Sequence, residues 1–305
     1  MRELVISKYE AGQRFDKFLA KYMELAPKSF FYKMMRKKNI TLNGKKAAGN
    51  EKLEEGDTVK LFLSEETIEG FREKKKRAVH TGAKLDILYE DEQVMLINKP
   101  AGMLSQKAEK GDISMVEHLI SHLLDTGEVT EEMLKTFRPS LCNRLDRNTS
   151  GIVAAGKTLQ GLQILSGLFK ERTLHKYYLC IVKGVIKEEQ DVRGWLLKNE
   201  KTNQVRIFKN ETKDARPIHT KYRPLADNGQ ETLLEIELLT GRTHQIRVHM
   251  GYIGHPLPAD YLYNPVYDTF KRQPLHSLQL KFCHPITGTP MCLMAPVPED
   301  MSNAF

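Results

Sequence analysis

Asn143-Arg144-Leu145-Asp146-Arg147-Asn148-Thr149-Ser150-Gly151 runs straight into Ile152-Val153-Ala154-Ala155. The join reads as a polar loop that feeds a buried strand, with Thr-Ser-Gly as the turn between them. One carboxylate, Asp146, sits in the loop between Arg144 and Arg147. Two flanking guanidinium groups favour the ionised acid and attract a polyanion. An isolated loop Asp is ordinarily satisfied by its neighbours and does nothing else, so its reading depends on the rest of the chain.

The chain has 305 residues, enough for one large domain and a small one. Its net charge of +8 points to an anionic partner, of which nucleic acid is the commonest. Cys142, Cys180, Cys283 and Cys292 form no CxxC pair. They suggest a reducing compartment and neither a disulfide framework nor a zinc site. No apolar run approaches the length of a membrane span, and the start MRELVISKYEAGQRF has no apolar signal region. The expectation is a cytoplasmic protein.

Residues 1–63 read as a small module. Phe15, Phe18, Leu19, Tyr22 and Leu25 fall at helical spacing before Pro27, and Ser29 can cap a second helix carrying Phe30, Phe31, Met34 and Met35. Ile40-Thr41-Leu42 meets Asn43-Gly44, a tight-turn signal, and Val59 to Leu63 reads as a closing strand. The aromatics read as this module's core. Arg14, Lys17, Arg36 and Lys37 give it a basic surface suited to an RNA backbone. Residues 64–83, with Arg72, Lys74, Lys75, Lys76 and Arg77, read as a basic linker whose charges are solvated.

A second domain is expected over 84–305. Val94 to Ile97 is a buried strand ending at Asn98-Lys99-Pro100-Ala101-Gly102, and Ser114 can cap a helix. Gly151 to Thr158 satisfies the phosphate-loop pattern GxxxxGK[ST]. That motif needs its strand before the first glycine, whereas here the apolar strand lies between the glycines, so nucleotide binding through Lys157 is rejected. Lys176 to Gly184 is a strand pattern in which Tyr177 and Tyr178 face opposite ways. Gly241 to Met250 (GRTHQIRVHM) reads as a turn into a helix. It is lined by Arg242 and Arg247, with His244 and His249 able to add charge if protonated. Such a helix start is a plausible phosphate clamp. The two histidines are five apart, which does not put two metal ligands on one helix face.

NRLDRNTSG resembles the HRLDxxTSG signature of the RluA-type pseudouridine synthases, departing at Asn143. The KPAG turn, KYYLCIVKG at 176–184, GRTHQIRVH, Gly254-His255-Pro256-Leu257 with Asp260, and Leu275-His276-Ser277 are similar to further motifs of that family in the same order. The resemblance implies an α+β catalytic domain with a mainly antiparallel mixed sheet. It implies Asp146 as the essential catalytic residue, Arg247 as its partner and Tyr178 as the active-site tyrosine. Arg144, Arg147, Lys99, Arg242 and His244 are the expected substrate contacts. Residues 1–63, through RFDKFL and ITLNG, resemble the alpha-L RNA-binding domain of a small-subunit ribosomal protein, a small α/β module.

The implied reaction moves uracil from a nitrogen link to a carbon link on the same ribose. Nothing is gained or lost, so no cofactor, metal or nucleotide is required. The expected partner is structured RNA, with large-subunit ribosomal RNA favoured over transfer RNA, and the expected state is a monomer. Two rivals remain at this stage. A non-catalytic RNA-binding or ribosome-assembly protein would not need Asp146, and a nucleotide hydrolase would need Lys157.

Overall fold

A computed structural model describes residues 1–72, 80–199, 202, 204–264 and 270–304. Lys74, Lys75, Lys76 and Arg77 of the expected linker lie outside these residues.

The first module is a four-stranded antiparallel sheet with helices on it. In chain order come β1 (Arg2–Val5), α1 (Phe15–Tyr22), α2 (Lys28–Arg36), β2 (Ile40–Leu42), β3 (Lys45–Lys46), β4 (Thr58–Leu61) and α3 (Glu65–Gly70). The strand order is β1-β4-β2-β3. Phe15, Phe18, Tyr22, Phe31 and Met35 are buried together, so the aromatics at helical spacing are core. Their burial is the main term holding so small a sheet together. Three local readings need correction. Strand β1 carries no strong apolar alternation and was not foreseen. Leu25 lies past the end of α1 and is exposed. Helix α2 starts at Lys28 after Pro27, without a Ser29 cap, because proline's fixed φ already suits a helix entrance.

The start of the expected linker is also ordered. Ser64 caps α3 by accepting from the Thr67 N–H, and Ile68 is buried in the module's core. Arg72 is tied down rather than solvated: it pairs with Glu69 and Glu132 and lies 4.6 Å from the centre of the Tyr22 ring. Glu132 belongs to the second domain, as does Thr136, whose hydroxyl donates to buried Glu10. Tyr9 packs into the second domain's core. The small module is therefore docked on the large one.

The second domain continues with β5 (Ile87–Glu90), β6 (Val94–Lys99), α4 (Met115–Asp125), β7 (Ser140–Leu141), β8 (Ser150–Gly156) and α5 (Leu159–Glu171). Then follow β9 (His175–Lys183), β10 (Gln190–Lys198), β11 (Val205–Phe208), β12 (Arg216–Asp227), β13 (Glu231–Leu238), α6 (Gln245–Tyr252), β14 (Leu275–Cys283), β15 (Pro290–Met294) and α7 (Glu299–Ser302). The sheet runs β11-β10-β12-β13-β9-β14-β8-β6-β5, with β15 on β14 and β7 on β8. Among the described strands, only β14 and β8 pair in parallel. This is the mainly antiparallel mixed sheet of an α+β domain. Ser114 closes a capping box on α4, and Thr158 caps α5.

The phosphate-loop lookalike is strand β8, buried along its whole length. Lys157 beside it is buried and paired with Glu90 and Glu128. Gly151 serves packing: at φ +104°, a Cβ there would lie 2.2 Å from the Ser277 carbonyl oxygen on β14. Only glycine lets the two parallel strands meet at this point. Among the described residues, no helix is long and apolar enough to cross a membrane.

Candidate active site

The loop from β7 to β8 carries Asp146, and its backbone is held almost residue by residue. Asn143 Oδ1 accepts from the Ala154 N–H at 2.8 Å, pinning the loop's start to β8. The residue that departs from the family signature thus has a structural task. Ser105 Oγ accepts from the Leu145 N–H at 3.0 Å and donates to the Leu145 carbonyl at 2.7 Å. The Thr149 N–H closes a turn on the Asp146 carbonyl. The Arg147 carbonyl accepts from the Gly102 N–H at 2.8 Å and from Lys99 Nζ at 3.1 Å. Arg272 Nη1 donates to the Asn148 carbonyl at 3.1 Å. Such second-tier bonds fix where the carboxylate points.

Lys99 was expected to touch substrate, and the structure corrects this. It is fully buried. Its ammonium donates to the carbonyls of Pro100, Met103 and Arg147, tying the KPAG turn to the signature loop. Burial pulls it down to about 7, with the charge of Asp146 opposing that fall. An ammonium has three N–H donors and three carbonyls meet it, so the cation is the form that satisfies the site.

Arg247 enters from α6 and is 7% exposed. Its Nη1 donates to Asp146 Oδ2 at 2.9 Å. Its Nε and Nη2 donate to the two oxygens of Asp260, both at 2.7 Å. Asp260 is 1% exposed and also accepts from the N–H groups of Leu262 and Tyr263. The bidentate pair fixes the guanidinium plane, and the remaining nitrogen is thereby aimed at Asp146. Burial works against the Arg247 charge, but Asp260 and Asp146 outweigh it and raise its affinity for the proton.

Tyr178 lies on β9, opposite Ser277 of β14. It is buried, and its phenol is pushed up to about 12, first by burial and then by the negative charge of Asp146. The ring therefore stays neutral. Tyr177 points to the other face, where Lys281 sits 4.9 Å from its ring centre. His244 heads α6 in the left-handed region at φ +52°, a conformation costing a non-glycine residue of order 1 kcal/mol. Its Nε2 lies 3.8 Å from Asp146 Oδ1.

His244 and His249 were expected to add positive charge only if protonated, and that condition is not met near pH 7. His249 is fully buried, bonded through Nδ1 to Thr220 Oγ1 and lowered to about 4 by burial. Burial also lowers His244, outweighing the opposing charge of Asp146. Both rings are neutral near pH 7. The phosphate-clamp reading of this segment therefore shrinks to its exposed arginine, Arg242, which stands among Arg172 and Arg216. Gln245 shapes the turn before α6: its amide oxygen accepts from Thr240 Oγ1 and the Arg242 N–H.

Asp146, Arg247, Tyr178 and His244 thus converge. Arg144 and Arg147 flank them, exposed. Arg14, Lys17, Arg36 and Lys37 are exposed on the small module, Arg14 in an ion pair with Asp16. Two residues of the site were not singled out from sequence. Asp260 stood in a recognised motif without a role, and Tyr263, beside it, carried no signal of its own.

The family model for RNA pseudouridylate synthase matches residues 93–252. The chain belongs to that family. The synthase is an isomerase that turns uridine in RNA into pseudouridine. It is 34% identical to a ribosomal large subunit pseudouridine synthase C of Vibrio vulnificus, over 96% of this chain and 92% of that one. It is 31% identical to a ribosomal large subunit pseudouridine synthase D of Xanthomonas campestris, over 99% of this chain and 91% of the relative. The fold is similar to that of human RNA Pseudouridylate Synthase Domain Containing 4, with TM-score 0.58 and 20% identity over 72% of this chain and 90% of the human one.

Proposed function

We propose that the synthase isomerises specific uridines in structured large-subunit ribosomal RNA, with Asp146 as the catalytic carboxylate. The observation that carries the reading is the aim of Asp146: an acid on a backbone-clamped loop, held by an arginine that a second buried acid locks in place. The ribosomal target draws support from relatives of both the C and the D type matching nearly the whole chain. The docked basic module suits a large folded RNA. The reading places the protein in the cytoplasm as a monomer.

The chemistry breaks the bond from ribose C1′ to uracil N1 and forms one from C1′ to C5. N1 gains a proton and C5 loses one, so atoms balance without a donor or acceptor. Asp146 can act in two ways. Its oxygen can bond to C1′ as N1 leaves with the bonding pair, as in retaining glycosidases. Alternatively it can remove the C2′ proton and return it later. Either route ends with the free carboxylate. Arg247 orients Asp146, and Tyr178 packs against the detached base while it turns. The uridine must first leave its stack, costing a few kcal/mol, which Arg144, Arg147, Arg242 and the small module offset through phosphate contacts.

The test is a pseudouridine map of ribosomal and transfer RNA from cells lacking the protein, rescued by the intact chain or by Asp146→Asn. Loss of large-subunit sites restored only by the intact chain is expected. Restoration by Asp146→Asn, or loss confined to transfer RNA, overturns the corresponding part of the proposal.

A further inference from the structure

Among the described residues, the Asp146 carboxylate has a firm donor on one oxygen only. Arg247 serves Oδ2, while Oδ1 faces His244 Nε2 across 3.8 Å, beyond hydrogen-bond length. His244 occupies the N-cap position of α6, yet its side chain caps nothing there. Its other nitrogen, Nδ1, lies 2.9 Å from the hydroxyl of Tyr263. That hydroxyl oxygen already accepts from the Val205 N–H at 3.2 Å. Tyr263 also packs edge-on to the imidazole, with ring centres 5.7 Å apart, and its ring centre lies 5.3 Å from the Arg247 guanidinium carbon. One phenol thus touches both groups that face Asp146.

These contacts assign the imidazole's proton. With the Val205 N–H on a lone pair of the Tyr263 oxygen, the phenol proton is available for His244 Nδ1. A neutral imidazole that accepts at Nδ1 carries its proton on Nε2. The opposite tautomer would aim the Nε2 lone pair at a carboxylate oxygen, a repulsive arrangement. The charged and titratable groups acting on His244 are Asp146, Arg247, Asp260 and Lys198, with Tyr263 in direct contact.

We infer that Tyr263 holds His244 as the Nε2–H tautomer and that His244 is a positioning residue, supplying the second donor to Asp146 when RNA closes the site. Hydrogen bonds of this kind are often long in the free enzyme and tighten on the substrate. With both oxygens held, the carboxylate keeps one orientation toward the sugar. The inference rests on Asp146 being the catalytic carboxylate.

The experiment compares Tyr263→Phe, His244→Leu, His244→Gln and the double variant Tyr263→Phe/His244→Leu in single turnover on a large-subunit ribosomal RNA transcript. RNA affinity and melting temperature are measured alongside. Tyr263→Phe keeps the ring and loses only the hydroxyl. It and His244→Leu are each expected to lower the rate about ten-fold at unchanged RNA affinity. The double variant is expected to be no slower than His244→Leu, and His244→Gln, which keeps an N–H donor, to recover part of the rate. Fully additive effects, an unchanged rate, or a loss confined to RNA affinity would overturn the inference. Asp146→Asn assayed in parallel separates the two readings: if it is inactive, failure of the His244 series leaves the catalytic carboxylate standing.

Discussion

Three cations of the small module and two of the large one are used in opposite ways. In the small module, Lys17, Arg36 and Lys37 are exposed, their charges in water. In the large one, Arg247 and Lys99 are buried, each committed to fixed partners. A solvated cation attracts a polyanion over a Debye length but holds no atom in place. A desolvated one is costly unless fully paired, and the pairing is what confers geometry. Binding and positioning thus fall to different side chains, and substitutions of the two kinds should fail differently.

The largest predicted effect lies at the buried end. Arg247→Met leaves Asp260 buried without its partner, and stability should fall by about 3–5 kcal/mol in a denaturant titration. The turnover rate should fall about 100-fold because Asp146 loses its aim. Adding Asp260→Leu should recover part of the stability and none of the rate. Recovery of both would mean that the pair is structural only.

At the exposed end, replacing Lys17, Arg36 and Lys37 together by Gln should raise KM for ribosomal RNA and leave kcat and folding unchanged. The slope of log affinity against log salt should become shallower by about 2–3 if each side chain meets one phosphate. A fall in kcat would show that the small module helps to build the site.

A pH term follows from the buried histidines. His249 and His276 are buried and lowered to about 4. The unfolded chain then binds more protons than the folded one between roughly pH 6.5 and 4. Their contribution is complete above the unfolded value and is lost as pH falls through that window, on the order of 3 kcal/mol for each. His249→Gln should flatten the acid side of a stability–pH curve. An unchanged curve would mean that the ring is charged in the folded state.

Much of this was legible in the sequence, and the reasons are local. The unbroken apolar run after Thr-Ser-Gly marked β8, and the position of its strand excluded a phosphate loop. The motif order gathered Asp146, Tyr178 and Arg247 before any contact was visible. The misreadings concern burial and tertiary partners. Lys99 follows an apolar strand in a motif, and nothing in its neighbours says that three carbonyls enclose it. Whether His244 and His249 carry charge stayed open, because spacing carries no information on desolvation. Tyr263 meets His244 and Val205 only through the fold, and Arg72 finds Glu132 across the two modules.

The measurement that bears most directly on the central claim is a single-turnover assay of purified Asp146→Asn on large-subunit ribosomal RNA, with RNA affinity and melting temperature recorded on the same samples. The substitution keeps size and one acceptor oxygen and removes the carboxylate. The account predicts a rate lower by about 10²–10⁴-fold or more, with affinity and melting temperature near those of the intact chain. Pseudouridine formed at the intact protein's rate would contradict it.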